Sequence, residues 1–355
     1  MFGFSIFLDK DLTEKTLDYV GKLARTGFEG IFTSIHIPEI ASNEYRERLI
    51  SLGKVAKAQG LPLMVDISGN ALEKIGFSFE RLQELADFGI TGLRMDYQVS
   101  VRQIAKASQT MQVSLNASTL TAQEIEELRV ERANFSHLEA WHNYYPRPET
   151  ALSEQVFCEK NQFLKANGFK VVAFANGDEN LRLPLRCGLP TLEQQRGEHP
   201  LAAALGLMSL GTDDVYIGDT GLSPHVIEQF YSYLKADTIK FFAQNHHHSS
   251  YFEYILRTHT ERQDAARDVL RSAEARFWKI PHIEPEHTDL RTRGAITIDN
   301  ERYLRYMGEI QICKRALPQD EKVNVVGFVC DKDMDLLEFV RPGQKFEIKN
   351  GDENA

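Results

Sequence analysis

The sequence is short of cysteine, of positive charge and of long apolar runs, and each shortage removes a class of protein. Four cysteines in 355 residues, Cys158, Cys187, Cys313 and Cys330, lie far apart with no C-x-x-C spacing. That excludes a disulfide framework or a thiolate zinc site and suits reduced thiols in a cytosol. Lys and Arg number 41 against 51 Asp and Glu, a net charge of -10. Such a chain is a poor partner for nucleic acid or an anionic membrane surface, although a local basic pocket can still hold one phosphate. No apolar segment approaches membrane-spanning length. The opening MFGFSIFLDKDL has no basic leader and reads as a first strand rather than a signal peptide, so the expected setting is the cytoplasm. Also missing is a G-x-G-x-x-G after that strand, the mark of a dinucleotide-binding open sheet.

What is present is a repeated alternation. With 42% hydrophobic residues the chain can bury a large core, and its length calls for a main domain and a smaller one. Short apolar runs stand at Phe2 (FGFSIFL), Gly30 (GIFTSIHI), Pro62 (PLMVDIS), Gly92 (GLRMDY), Gln112 (QVSLNAS), Leu138 (LEAWHNYY), Lys170 (KVVAFA) and Asp213 (DDVYIGD), separated by amphipathic helical patterns. Helix starts are legible at Asp11 with Glu14, at Thr121 with Glu124, and at Ser223-Pro224. Strands apolar on both faces that alternate with helices require parallel pairing, and eight such units predict a closed (β/α)8 TIM barrel over residues 1–237. An open doubly wound sheet is the alternative.

The pattern changes over 238–355. AQNHHHSS reads as a polar break, YFEYILRTHT as strand and ERQDAARDVLRSAEARF as one amphipathic helix. GAITIDN, YLRYMGEIQICK, VNVVGFV, LLEFV and QKFEI predict a small, mostly antiparallel β domain.

In barrels the chemistry sits at the carboxyl ends of the strands. Those ends carry Asp9, His36 and Glu39, Asp66 and Ser68, Arg94 and Asp96, Asn116 and Ser118, the loop AWHNYYPRPETALS, Asp178 and Asp219. A carboxylate after a strand is often only a helix cap or turn former, and Asp178 in NGDEN fits that description. Asp66 and Asp96 differ, because each interrupts an apolar run where a charge is costly unless paired or used. Parallel neighbours lie about 4.8 Å apart, which brings both within reach of Arg94. Two such carboxylates suit acid-base work at a glycosidic bond. Pro146 and Pro148 stiffen the loop that presents Arg147 and Glu149, Tyr144 and Tyr145 offer faces of the kind that pack on sugar rings, and Asn143 can donate and accept. Arg147, Arg182, Arg186 and helix-start amides are sources of anion binding. The run His246-His247-His248 lacks the spacing that converges ligands and has no acidic partner nearby in sequence, so no metal is expected. Cys187 has no histidine partner and reads as a packing thiol.

The segments FTSIHIPE, LMVDIS, GLRMDY, LNAST, WHNYYPRPET, GLPTLEQQR and DDVYIGDTGLS, in this order, with TIDNERYLRYMGEIQI further on, resemble the MupG-like 6-phospho-N-acetylmuramidases of glycoside hydrolase family 170. The resemblance implies a barrel followed by a cyclophilin-like β domain, and cofactor-free hydrolysis of a phosphorylated amino-sugar disaccharide in cell-wall recycling. By motif position it implies a site of Asp66, Arg94, Asp96, Asn116, His142, Asn143, Tyr145, Arg147, Glu149 and Asp219, to which the strand-end reading adds Asp9 and Arg182. Asp96 is assigned to the anomeric centre, Asp66 or Glu149 to proton donation, Asn116 and Asn143 to sugar contacts, and Arg147 with Arg182 to anionic groups. One loop departs: the family reads closer to R-G-P-L-Y-E-G-L-P-T where this chain has RLPLRCGLPT, with Arg186 and Cys187 replacing an aromatic and an acid. A phosphosugar isomerase, epimerase or lyase on the same barrel, and a non-catalytic phosphosugar-binding protein, are the competing readings.

Overall fold

The structure, a computed structural model, describes residues 1–35, 42–67, 69, 71–95, 97–279 and 281–351, with the side chains of residues 42 and 43 excepted. His36, Glu39, Ser68 and Asp96 lie outside the described residues. The chain divides into two compact units, Met1–Ile227 and Glu228–Ala355.

In the first unit β1 (Phe2–Ser5), β2 (Ile31–Ser34), β3 (Leu63–Ile67), β4 (Gly92–Met95), β5 (Gln112–Asn116), β6 (Leu138–Trp141), β7 (Lys170–Ala175) and β8 (Asp214–Ile217) close into a parallel barrel, β8 pairing with β1. This is the expected TIM barrel. Between the strands run α1 (Glu14–Thr26), α2 (Ser42–Gln59), the short α3 (Ala71–Lys74) and α4 (Leu82–Asp87), α5 (Val101–Ala107), α6 (Ala122–Val130), α7 (Glu154–Ala166) and α8 (Pro200–Ser209), while α9 (Pro224–Ala236), after β8, begins in this unit and continues into the second. The Thr121–Glu124 capping box forms as expected, and Ser223 accepts from the Val226 N–H. The expected Asp11–Glu14 box does not. Helix α1 starts at Glu14, so its box joins Thr13 to Thr16, and Asp11 is drawn instead to Arg48 Nε at 2.6 Å.

Alternation along each strand decides what fills the barrel. Phe32, Met64, Trp141, Val172, Phe174 and Tyr216 form the apolar interior, with Trp141 and Tyr216 ring centroids 4.5 Å apart. The Tyr216 ring occupies the space a Cβ would need at Gly3 and Gly30, so those two positions must be glycine for the ring to fit.

The second unit holds β9 (Thr238–Asn245), β10 (Thr258–Thr260), β11 (Val269–Arg271), β12 (Ala295–Asp299), β13 (Ile310–Cys313), β14 (Val323–Val329) and β15 (Lys345–Asn350), in the spatial order β10-β15-β9-β14-β12-β13-β11. Only β15 with β9 pairs in parallel. Four local expectations are corrected. The predicted helix from Glu261 to Phe277 is instead β11 and a short 3-10 turn (Ala275–Phe277). Val269 and Leu270 pair with Cys313 and Ile312, and the charges bond at spacings that do not face each other on a helix: Arg262 to Asp264 and Arg267 to Asp268. LLEFV ends a run of 3-10 turns (Asp331–Glu338) whose Leu336 and Leu337 are both buried and whose Asp333 accepts from the Phe242 N–H. YFEYILRTHT splits into a helical turn, α10 (Phe252–Ile255), and β10. The polar break AQNHHHSS begins inside β9, a strand the sequence pattern does not announce.

Candidate functional site

Two residues beyond the apolar interior, the inward face of three adjacent strands turns polar. Ser34, Asp66 and Arg94 lie side by side in the β2-β3-β4 register. All three are buried. Arg94 Nη1 donates to Asp66 Oδ1 at 2.7 Å, Ser34 Oγ donates to Asp66 Oδ2 at 2.9 Å, and Arg94 Nη2 donates to Asn143 Oδ1 just beyond β6. Both oxygens of Asp66 are therefore occupied, and its charge is compensated within the barrel wall.

Tyr144 carries the network onward. Its partly buried ring rests on Phe7, Phe32 and Phe174, so what it offers is its hydroxyl and not the sugar-stacking face expected. That hydroxyl accepts from Arg182 Nη1 at 2.9 Å. Burial pushes its acidity down, against the pull of Arg182. A chain of contacts results: Ser34, Asp66, Arg94 and Asn143, the last next in sequence to Tyr144. Arg182 joins it from outside, its guanidinium 3.5 Å from the centroid of the Phe7 ring.

Arg182 also lines a cavity of about 590 Å³ with Phe7, Asp9, Lys10, Arg186 and Thr220. Among the described residues, three cations against one carboxylate line this cavity, in a protein whose net charge is negative. The loop that delivers Arg182 and Arg186 is held by Asp219, whose Oδ2 accepts from Gly177 N at 2.9 Å and Leu189 N at 3.0 Å, and whose Oδ1 accepts from Arg182 N at 3.0 Å. Burial raises the Asp219 carboxyl above its ordinary range while these three N–H groups pull it back. Asp219 is 1% exposed, so it shapes the loop and does not meet solvent.

His142 is likewise buried, and burial lowers its pKa to about 4, which keeps it neutral. Asn161 Nδ2 donates to Leu210 O, which turns its Oδ1 toward His142 Nε2 at 2.8 Å and assigns the ring proton to that nitrogen. His142 Nδ1 is left to accept from Ser118 Oγ at 3.4 Å, itself 3.4 Å from the Tyr145 hydroxyl. Asn116 accepts from Ser118 N at 3.0 Å and fixes the turn that presents this serine.

The stiff loop after β6 is clamped from a distance. Arg196 Nη2 donates to the carbonyls of Tyr145 and Arg147, while its Nη1 donates to those of Cys187 and Gly188. Arg196 is held in turn by Glu193, whose Oε2 also accepts from Ala151 N at 2.9 Å. The Arg196 guanidinium hydrogen bond holds the Glu193 carboxyl down at about 2. Thr191 Oγ1 donates to Asn143 O, and Tyr145 N to Pro190 O. GLPTLEQQR is thus the brace for WHNYYPRPET.

Of the residues anticipated from sequence, Asp66, Arg94 and Asn143 touch directly, Arg182 joins them through Tyr144, and Asp9 shares the cation-lined cavity. Asn116, His142 and Tyr145 form a second group around Ser118. Asp219 acts on the backbone of the Arg182 loop. Arg147 and Glu149 are exposed on the β6 loop, and among the described residues no ion pair joins them. Ser34, Asn161, Glu193 and Arg196 were not anticipated. Ser34 was legible in principle, as the polar residue ending an apolar strand one register step from Asp66.

A closed parallel barrel whose strand ends gather acids, amides and a cation-lined cavity defines an enzyme acting on a small, polar, negatively charged substrate. Sequence relationships make the class specific. The 6-phospho-N-acetylmuramidase N-terminal and C-terminal family profiles match residues 2–232 and 238–349, and the chain belongs to that family of glycosidases. The family name implies a phosphorylated muramic acid sugar as substrate. Among solved structures, a conserved protein from Enterococcus faecalis with an unknown function is 47% identical over 99% of this chain and 96% of its own, with a TM-score of 0.92. An uncharacterized B. cereus protein is 26% identical over 98% of both chains, with a TM-score of 0.73. No curated protein matches. No helix among the described residues is long and apolar enough to cross a membrane.

Proposed function

We propose that the barrel mouth hydrolyses the glycosidic bond joining 6-phospho-N-acetylmuramic acid to N-acetylglucosamine, in the cytoplasm, during recycling of cell-wall sugars. The observation that carries this reading to the residues is the contact chain of Ser34, Asp66, Arg94 and Asn143, beside a Tyr144 that holds Arg182 at a cavity lined by Lys10, Arg182 and Arg186. A glycosidase needs rigid acids and amides around the anomeric carbon, and this substrate adds a phosphate that needs positive charge at a fixed distance.

Within this reading Asp96, next after β4, acts on the anomeric centre. Asp66, with both oxygens bonded, fixes Arg94 and through it Asn143. The exposed Glu149 then protonates the departing oxygen of N-acetylglucosamine, and water supplies the hydroxyl left on the muramic acid. Asn116 and Asn143 contact the sugar. Lys10, Arg182 and Arg186 receive the phosphate, and Arg147 takes the remaining carboxylate of the muramic acid. His142 and Asp219, both buried, hold the surrounding loops.

Incubating the purified protein with the 6-phosphorylated and the unphosphorylated disaccharide and resolving the products tests this reading. Two sugars released from the phosphorylated substrate alone are expected. An intact, rearranged disaccharide or a dehydrated product would replace hydrolysis with isomerase or lyase chemistry. Asp96→Asn should fold normally and lose about 10²-fold or more of kcat, and near-native turnover in that variant would remove Asp96 from the mechanism.

A further inference from the structure

Consecutive histidines on an extended strand present their side chains to opposite faces, which is why His246-His247-His248 reads as an unpromising metal ligand set. The fold removes that objection. His246 follows directly on β9 and continues its pairing with β14, its N–H donating to Val326 O at 3.1 Å. His247 and His248 then take φ angles of 47° and 57°, a left-handed conformation uncommon outside glycine. The turn brings the His247 ring back against that of His246, with centroids 4.1 Å apart. Strain of this kind persists where the surroundings hold it, and it is a reason to look for function.

The fold also supplies the acid that is missing nearby in sequence. Asp289 comes from a segment pinned to the sheet at several points: Val325 N donates to His287 O at 3.0 Å, Asn324 Oδ1 accepts from Glu286 N at 3.0 Å, and Ser250 Oγ donates to Glu286 at 2.7 Å. Asp289 Oδ2 lies 3.0 Å from His246 Nε2, and one ligand atom from each of His246, His247 and Asp289 lies within 4.8 Å of the others. Tetrahedral zinc with bonds of about 2.0–2.2 Å sets its ligand atoms roughly 3.4 Å apart, so small side-chain rotations close the set. His287, also left-handed at φ 43°, sets its ring edge-on to that of His246 and tilted against that of His247, with centroids 5.6 Å and 5.5 Å away. It bonds Glu286 at 3.2 Å and walls the site on one side.

The geometry points to a divalent late-transition-metal site in the second unit, with His246, His247 and Asp289 as protein ligands and water in the fourth position. Two imidazoles and one carboxylate select zinc, nickel, cobalt or copper over magnesium or calcium, which favour all-oxygen shells. A bound ion would tie the end of β9 to the 284–289 segment.

The test uses the full chain, free of any added histidine tag and stripped with a chelator, titrated calorimetrically with Zn²⁺ and in parallel with Mg²⁺. About one equivalent of Zn²⁺ with micromolar or tighter affinity is expected, and no measurable Mg²⁺ binding. His247→Ala and Asp289→Asn should each weaken Zn²⁺ by about tenfold or more, with circular dichroism unchanged. His282→Ala, which removes a surface histidine paired with Glu301, should not weaken it. No stoichiometric uptake, unaltered affinity in both ligand variants, or equal loss in His282→Ala would overturn the assignment.

Discussion

Asp66 and Arg94 form an ion pair at 2.7 Å across neighbouring parallel strands, with side-chain exposures of 9% and 3%. Removing one partner of such a pair strands a buried charge, at about 3–5 kcal/mol. Asp66→Ala is therefore expected to lower the denaturant midpoint by that order and abolish turnover. The double variant Asp66→Ala, Arg94→Met should recover much of the stability and none of the activity, as read by urea unfolding beside product assays.

The clamp formed by Glu193 and Arg196 predicts a different signature, because it lies outside the barrel wall. Arg196→Ala should lower the unfolding midpoint by less than Asp66→Ala does, while raising KM and lowering kcat, since the β6 loop loses its anchor at Tyr145 and Arg147. The Glu193 carboxyl is lowered from 4.5 to about 2 in the fold. Its contribution is fully present above pH 4.5 and is lost as pH falls toward 2. Loop protection measured by limited proteolysis should fall through that window in the native enzyme and be low throughout in Arg196→Ala.

Arg186 tests the phosphate assignment. It lines the cavity with Lys10 and Arg182. Arg186→Ala should raise KM for the 6-phosphorylated substrate about tenfold or more, the loss of a charge-assisted hydrogen bond of about 1.5–3 kcal/mol. Competitive inhibition by the unphosphorylated disaccharide should be unaffected, and an equal weakening of both ligands would move the phosphate elsewhere.

The barrel was legible in the sequence because strands apolar on both faces leave an unbroken signature, and because Asp66 interrupts one of them. Its partner was legible too, since register places Arg94 beside it. The clamp was not: Arg196 reaches the carbonyl of Tyr145 across 51 positions, and nothing local to either stretch records that contact. The region from Glu261 to Phe277 misled for a related reason. Its apolar spacing fits a helix, but cross-strand pairing of Val269 and Leu270 outweighs local preference.

A buried acid in the second unit predicts pH-dependent stability. Burial, with Glu309 and Asp320 adding repulsion, raises the Asp299 carboxyl from 3.8 to about 8. The unfolded chain ionises first, so stability is greatest below about pH 4 as far as this group is concerned and falls as pH rises toward 8. Asp299→Asn should flatten the fall and raise the melting temperature most at neutral to alkaline pH, followed by differential scanning calorimetry of the full chain.

Asp219 fastens the stretch from Gly177 to Leu189 at its start, its middle and its end, using backbone N–H groups alone. Backbone attachment is indifferent to the side chains carried between the fastening points. Arg186 and Cys187 can therefore be substituted without rebuilding the architecture that presents them.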